Sequence, residues 1–400
     1  MKQKVSDYIA EYIAQWGIRD VFTVTGGGAM HMNDAFGHHK MLHCTYQHHE
    51  QACAMAAEAY ARLGNKMAAV CVTTGPGATN AITGVLGAWM DSIPMLVFSG
   101  QARYATTVSA SGLPLRSMGV QECNIVPVVK SLTKYAHMIV HPENIRYHLE
   151  KALYLAVNGR PGPVWLDIPL DVQGAVIETD DLKAYDPEEN PEQKPREIKD
   201  ETVEQILDKL QESKRPVLSP GNGVRLAGAH EDFYQLAELL GVPVVTGMSS
   251  VDAIESDHPL FVGRSGGTGT RPGNFALQNS DVLLSLGNRQ GFAQTGFRYQ
   301  DWARESYTIL NDIDENELKK PSLHVSLPVC GDAGELIRKL IKAAKNVELP
   351  GKTPYSREMH GEISVFYGSK NIRLLCPVIM KLWRMAAQIF TRFMKNCPEP

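Results

Sequence analysis

The sequence predicts an α/β protein: two doubly wound parallel-sheet domains followed by an atypical C-terminal tail. Three observations carry this. Short apolar runs alternate with helical stretches, the pattern of a parallel sheet covered on both faces. Glycine-rich turns follow the apolar runs, as at Gly26, Gly27 and Gly28 and again at Gly75 and Gly77. A stretch rich in Asp, Glu, Pro and Lys over 180–200 interrupts the alternation, which then resumes.

The elements follow in order. The first helix puts Val5, Tyr8, Ile9, Tyr12, Ile13 and Trp16 on one stripe, and Gly17 ends it. Residues 21–24 read as a buried strand leading into the glycine run. Further strands are expected over 41–46, 68–73, 95–99 and 164–168, with helices over 50–63, 78–91 and 149–157. The second α/β region has expected strands over 216–218, 242–245, 281–286 and 307–310, and helices over 231–240 and 333–344. The domains are therefore placed at 1–178 and 201–345, joined by a solvated linker over 179–200. The tail, 346–400, departs from the alternation. Within it, 374–393 is apolar and basic, with Lys381 and Arg384 and no acid. It fits either a partner-docking helix or a translated out-of-frame end.

Composition narrows the function. Apolar residues make up 44% of the 400, enough for sizeable cores, and the net charge of −4 argues against nucleic acid or an anionic membrane as partner. Seven cysteines form no CxxC pair, so reduced thiols in a cytoplasmic protein are expected. Asp7 and Glu11 inside the first helix exclude a signal peptide, and no run is apolar enough to span a bilayer. His31, His38, His39, His48 and His49 lack ligand spacing, and no metal ligands are expected.

Glu50 is the leading site residue. It stands in YQHHEQACAMAAEAYARLG, where a strand gives way to an alanine-rich helix, and TTGPGATN supplies a second strand-to-helix turn nearby. A carboxylate at the carboxyl end of a parallel strand can exchange a proton with a heterocycle bound in that crevice. The plain alternative is an early-turn acid favouring its own helix. Gly75, Pro76 and Gly77 let backbone approach a ring, and Asn80 hydrogen-bonds locally or to a ligand. The bare glycine run 26–28 lacks the spacing of a dinucleotide fingerprint.

These segments resemble the pyrimidine-binding domain of thiamine diphosphate enzymes, specifically the acetolactate synthase group of branched-chain amino acid biosynthesis. The resemblance implies catalytic roles for Glu50, Gln121 and Gly27. Glu50 would hydrogen-bond the aminopyrimidine ring and so help activate the thiazolium carbon. Gly26, Gly28, Gly75, Pro76, Gly77, Asn80 and Gln101 would line the cofactor on its pyrimidine side. Gln121, in GVQECNIV, would reach the reaction centre of a neighbouring subunit, so a homodimer or higher homo-oligomer is implied. Val120 departs from the phenylalanine usual in this group, which leaves the 2-keto acid and the acceptor open. NGRPGPVWLDIPLDVQ, from Asn158 to Gln173, also matches and is read as structural.

The second domain resembles the family's Rossmann-like central domain, which holds FAD in acetolactate synthases. Gly266, Gly269, Gly287, Arg289 and Asp312 are the FAD-site candidates. Thr268, Gln290, Gly291 and Lys130 depart from the FAD-dependent pattern. The family's third domain binds Mg²⁺ and diphosphate through GDG and a later asparagine. Cys330–Gly331–Asp332–Ala333 is the nearest string here and is rejected as that motif. The resemblance thus implies an enzyme polypeptide, truncated or half of a split enzyme, that binds thiamine diphosphate weakly alone. A non-catalytic α/β binding module is the alternative of a different class.

Overall fold

The computed structural model describes residues 1–345, which form two compact units, the second beginning at Glu197. The expectations for 346–400 lie outside the described residues.

The first unit is built on a six-stranded, all-parallel sheet. Its strands are β1 (Asp20–Thr23), β2 (His43–Tyr46), β3 (Ala69–Val72), β4 (Met95–Gln101), β5 (Tyr135–Met138) and β6 (Pro163–Pro169). Their order is β2-β1-β3-β4-β6-β5. The chain steps outward from β1 to β2, then returns to the other side of β1 for β3. That reversal opens a crevice between the carboxyl ends of β1 and β3, where α/β sheets take their ligands.

Helix α1 (Val5–Trp16), α2 (Met30–His38) and Ile145–Val157 pack on one face around Ile9, Phe36, Phe98 and Leu149. Helices α3 (Glu50–Gly64), α4 (Pro76–Asn80) and α5 (Ile82–Met90) follow the crevice strands. The stripe read on α1 holds for Val5, Ile9 and Ile13, whereas Trp16 is 41% exposed. Gly17 ends the helix in the left-handed region. The helix expected over 78–91 is two pieces divided at Ala81. Lys2–Lys4 pairs antiparallel with Val176–Glu178, a two-stranded ribbon too short and polar to show in the hydropathy pattern.

The segment expected as a solvated linker is fastened to the first unit as far as Arg196. Leu182 and Tyr185 are buried, and the Tyr185 amide donates to Glu150 Oε2 at 2.7 Å. Two apolar side chains dock this acidic, proline-rich stretch, whose regular structure is limited to single 3-10 turns at Thr179–Asp181, Pro187–Glu189 and Pro191–Gln193.

The second unit carries a second all-parallel sheet: β7 (Pro216–Pro220), β8 (Val244–Thr246), β9 (Phe261–Arg264), β10 (Val282–Leu286), β11 (Tyr307–Asp312) and β12 (Leu327–Cys330). Its order is β9-β8-β7-β10-β11-β12, the doubly wound arrangement with its reversal between β7 and β10. Asp200–Glu212, His230–Leu240 and Ala333–Ala344 cover one face, and Arg271–Gln278 covers the other. Among the described residues no helix is long and apolar enough to cross a membrane.

Candidate functional site

The first crevice is built from the turns after β1, β2 and β3. Helix α3 starts at Glu50, but its cap is His49, extended at φ −154° and ψ 139°, whose Nδ1 accepts the Gln51 amide at 3.1 Å. The Glu50 side chain is thus free of the capping task. It meets the β3 turn instead: Asn80 Nδ2 donates to Glu50 Oε2 at 3.0 Å. A Cβ placed on Gly77 would lie 2.6 Å from Thr73 Cγ2 and 3.3 Å from Glu50 Oε1, so the glycine lets the turn pack against Thr73 beside the acid. Among the described residues Oε1 accepts no hydrogen bond.

The turns after β1 and β3 interlock. The Gly28 amide donates to Thr73 Oγ1 at 3.0 Å, and the Thr73 side chain occupies the volume a Cβ on Gly26 would need. Gly27 is exposed, with open space around its α-carbon. Gly75 has φ +60°, and a Cβ there would lie 1.9 Å from the Gln121 carbonyl oxygen. Left-handed backbone and close approach both demand glycine. The same contact brings Gln121, itself at φ +56°, to the Gly-Pro corner from far along the chain. Pro76 is exposed at the first position of α4. Val120, next to Gln121, is 84% exposed.

Gln101 is placed differently from its neighbours on this surface. It ends β4, is 1% exposed, and its amide is fully used inside the unit. Its Oε1 accepts from Thr74 Oγ1 at 2.6 Å and from the Ala102 amide at 2.9 Å. Its Nε2 donates to the Cys123 carbonyl at 2.9 Å and to Asp167 Oδ2 at 3.1 Å. Asp167 is wholly buried in β6; its Oδ1 accepts from Ser99 Oγ at 2.5 Å, and Ser99 Oγ accepts from Trp165 Nε1 at 2.8 Å. Burial pushes the Asp167 carboxyl up to about 7, against the pull of its hydrogen bonds from Ser99 and Gln101.

The second crevice gathers the turns after β7 and β10. The Gly223 amide donates to the Gly287 carbonyl at 3.0 Å, holding the two turns back to back. Asn288 Nδ2 donates to Ser219 Oγ at 3.1 Å, and Gln290 Nε2 to Ser285 Oγ at 2.9 Å. Gln290 Oε1, Asn311 Oδ1 and Thr246 Oγ1 are buried without a partner among the described residues. Gly266 exchanges hydrogen bonds with the Asn274 side chain, and Gly269 packs against the Arg264 carbonyl. Arg289 is partly exposed, its Nε 3.9 Å from Glu317 Oε1, and Asp312 Oδ1 accepts the Asp314 amide at 2.9 Å. Asp332, in the string set aside as a metal motif, caps the last described helix through the Glu335 amide at 2.9 Å.

Sequence reading passed over Thr73, Thr74, Asp167 and Gln173. Gln173 Nε2 donates to the Gly28 carbonyl at 2.7 Å, which ties the segment 158–173 to the glycine run. One signal for Asp167 was on the page: a lone acid within an apolar strand, VWLDIP. Burial pushes the Cys53 and Cys71 thiols up to about 12, so neither is a thiolate nucleophile near neutral pH. Among the described residues no group of three or more His, Cys, Asp or Glu is placed to hold a metal ion.

Two family models match. "Thiamine pyrophosphate enzyme, N-terminal TPP binding domain" covers residues 3–128, and "Thiamine pyrophosphate enzyme, central domain" covers 203–340. The chain is 34% identical over 330 residues to the acetolactate synthase large subunit of Corynebacterium glutamicum, covering 81% of this chain and 50% of that protein. It is 32% identical over 363 residues to a probable acetolactate synthase large subunit of Methanocaldococcus jannaschii, covering 89% and 59%. Acetolactate synthase 2, chloroplastic, of Zea mays is 34% identical over 359 residues, covering 88% and 52%. The chain spans about half the length of the curated relatives it matches.

Proposed function

Because this chain belongs to the thiamine pyrophosphate enzyme family, we propose that it is an acetolactate synthase-like enzyme polypeptide. Its reaction is decarboxylation of a 2-keto acid, pyruvate, and joining of the remainder to a second carbonyl compound. The observation that carries this reading is the Glu50 carboxylate, held by Asn80 on one oxygen and without a hydrogen-bond partner among the described residues on the other.

A ring nitrogen of an aminopyrimidine suits the unpartnered Glu50 oxygen. When bound, thiamine diphosphate supplies the carbon nucleophile that attacks the keto acid and the electron sink for loss of carbon dioxide. Glu50 shares a proton with a ring nitrogen. Asn80 keeps the carboxyl oriented, so the acid need not reorganise when the proton moves. Gly26, Gly28, Gly75, Pro76 and Gly77 form the wall, Gly27 offers exposed backbone, and Gln121 stands at the corner toward substrate. Gln101 acts through that wall. Diphosphate and its Mg²⁺ are assigned to a separate diphosphate-binding domain like the family's third; Asp332, in the nearest string here, caps a helix.

A second copy of the chain is assigned to the exposed Met55, Leu86, Trp89 and Met90 of α3 and α5, giving a homodimer. In the second unit FAD is the proposed nucleotide, held near Gly266, Gly269, Gly287, Arg289 and Asp312. The unpartnered Gln290, Asn311 and Thr246 oxygens support a ligand with donors there.

Saturation-transfer NMR with thiamine tests the reading directly. The chain transfers magnetisation to the pyrimidine protons and Glu50→Gln does not; equal transfer by both rejects the assignment. The substrate is tested by product analysis with pyruvate, thiamine diphosphate and Mg²⁺, the chain being supplemented with the C-terminal half of a relative. Acetolactate supports the leading reading. Exposed Val120 favours a runner-up, a carboligase with another acceptor, which would instead couple a supplied aldehyde.

A further inference from the structure

We infer that Gln101 is a positioning residue that locks the 73–77 corner to the 121–123 loop, and that Asp167 dictates which way its amide faces. This rests on the reading of Glu50 as the pyrimidine acid. It adds the device that keeps the two walls beside that acid at a fixed separation.

A glutamine amide has nearly the same shape when flipped, so shape alone leaves its orientation open. Here three fixed groups decide it. The Ala102 amide is a donor and demands the oxygen; the Cys123 carbonyl is an acceptor and demands the nitrogen. Asp167 Oδ2, also an acceptor, adds a second bond on the nitrogen side at 3.1 Å. A flipped amide would set donor against donor and acceptor against acceptor in a site 1% exposed, where no water can relieve it. With the orientation set, Oε1 faces Thr74 Oγ1 and draws its proton at 2.6 Å. Thr74 is the residue before Gly75, and Cys123 lies two residues after Gln121. One side chain therefore grips both partners of the close contact between Gly75 and the Gln121 carbonyl.

The loop is gripped from its other side as well. The Glu122 carboxylate accepts the amides of Val108 at 2.6 Å, Met118 at 3.0 Å and Gly119 at 2.9 Å. These bonds gather the 108–119 excursion into a closed loop but none reaches the corner. Gln101 makes the side-chain link between loop and corner.

Hydrogen–deuterium exchange of the full chain tests this without any cofactor. Gln101→Met keeps length and loses all four hydrogen bonds. Asp167→Asn keeps shape and turns one of the two acceptor oxygens into a donor amide. Each is expected to speed exchange about tenfold in both 73–79 and 118–124, while β3 keeps its protection. Thr74→Val, a substitution of equal size, releases 73–79 alone. Uniform loss of protection through the unit, or a Thr74→Val variant indistinguishable from the parent at 73–79, overturns the proposal. Thiamine titration gives the second readout: Gln101→Met weakens binding about tenfold. Failure of the parent chain to bind thiamine would reject the Glu50 reading, while the exchange result would still decide the lock.

Discussion

The two units share an architecture and differ in how their crevices treat polar atoms. Both have six parallel strands, a reversal between neighbouring strands and glycine turns at the strand ends. In the first, the buried amide of Gln101 has a partner for every donor and acceptor, a carboxylate stands at the opening, and Gln173 Oε1 is the one buried oxygen near the glycine run without a partner among the described residues. In the second, Gln290, Asn311 and Thr246 each keep a buried oxygen with no partner among the described residues. The fold provides a crevice in each case; side chains decide its chemistry. In the first crevice the Gln101 amide is saturated and Asn80 holds one oxygen of the Glu50 carboxyl. Leftover acceptors suit a ligand that brings its own donors.

The comparison breaks most visibly at the two acids. Glu50→Gln should lower thiamine-dependent turnover of pyruvate by about 10²–10⁴-fold, the usual worth of a positioned proton-transfer group. Asp312→Asn, at a strand end of the second unit, should leave it within a few-fold. Comparable losses in steady-state rate would erase the contrast.

Next is pH. The Asp167 carboxyl is raised from an ordinary 3.8 to about 7 by burial, with Glu122 adding to the rise and Ser99 and Gln101 opposing it. The folded state therefore holds this proton more tightly than the unfolded chain. The stability it contributes is complete below about pH 4 and is lost as pH rises through about 7, by roughly 4 kcal/mol. Urea unfolding of the parent and Asp167→Asn between pH 4 and 8 should show a gap that changes by several kcal/mol. A pH-independent gap would contradict the assignment.

Backbone comes third. Gly75→Ala combines a left-handed φ with a Cβ against the Gln121 carbonyl and should destabilise the first unit by about 3 kcal/mol. Gly27→Ala meets open space and should change stability by about 0.5 kcal/mol or less. Thermal unfolding separates them, and similar midpoints would mean the corner yields freely.

The smallest effect sharpens the comparison most. Thr74 and Thr246 are both buried at or beside the carboxyl ends of strands. Thr74→Val removes a made hydrogen bond and should cost about 1 kcal/mol. Thr246→Val removes an unpartnered hydroxyl and should be neutral or stabilising. The same substitution with the same sign in both units would show that the second crevice is as saturated as the first.

Much of this was legible beforehand. The strand–helix alternation, Glu50 beside a Gly-Pro-Gly turn, and Asn80 near it are local patterns, and each expected element sits close to its place, whereas strands Tyr135–Met138, Phe261–Arg264 and Leu327–Cys330 and helices Met30–His38, Asp200–Glu212 and Arg271–Gln278 were not read. Trp16 was misjudged because helical periodicity names a stripe, not the depth of the groove it meets. His49 was passed over as a cap since capping depends on backbone angle, which His-His-Glu does not announce. The 180–196 segment read as linker because two docked side chains leave no period. Gln101 was grouped with the exposed site residues, and nothing in Ser-Gly-Gln tells a glutamine facing a ligand from one buried among Thr74, Cys123 and Asp167.

The sequence by itself determined the domain class, most of the elements and the place of Glu50 at a strand-to-helix turn, because propensity, hydrophobic period and turn chemistry act between residues a few positions apart. Only the tertiary structure decided the strand orders, hence where each crevice opens, and the meeting of Gly75, Gln101, Gln121 and Asp167. Those contacts join residues tens of positions apart, and their energies come from burial and hydrogen-bond satisfaction that exist only once the sheet is assembled.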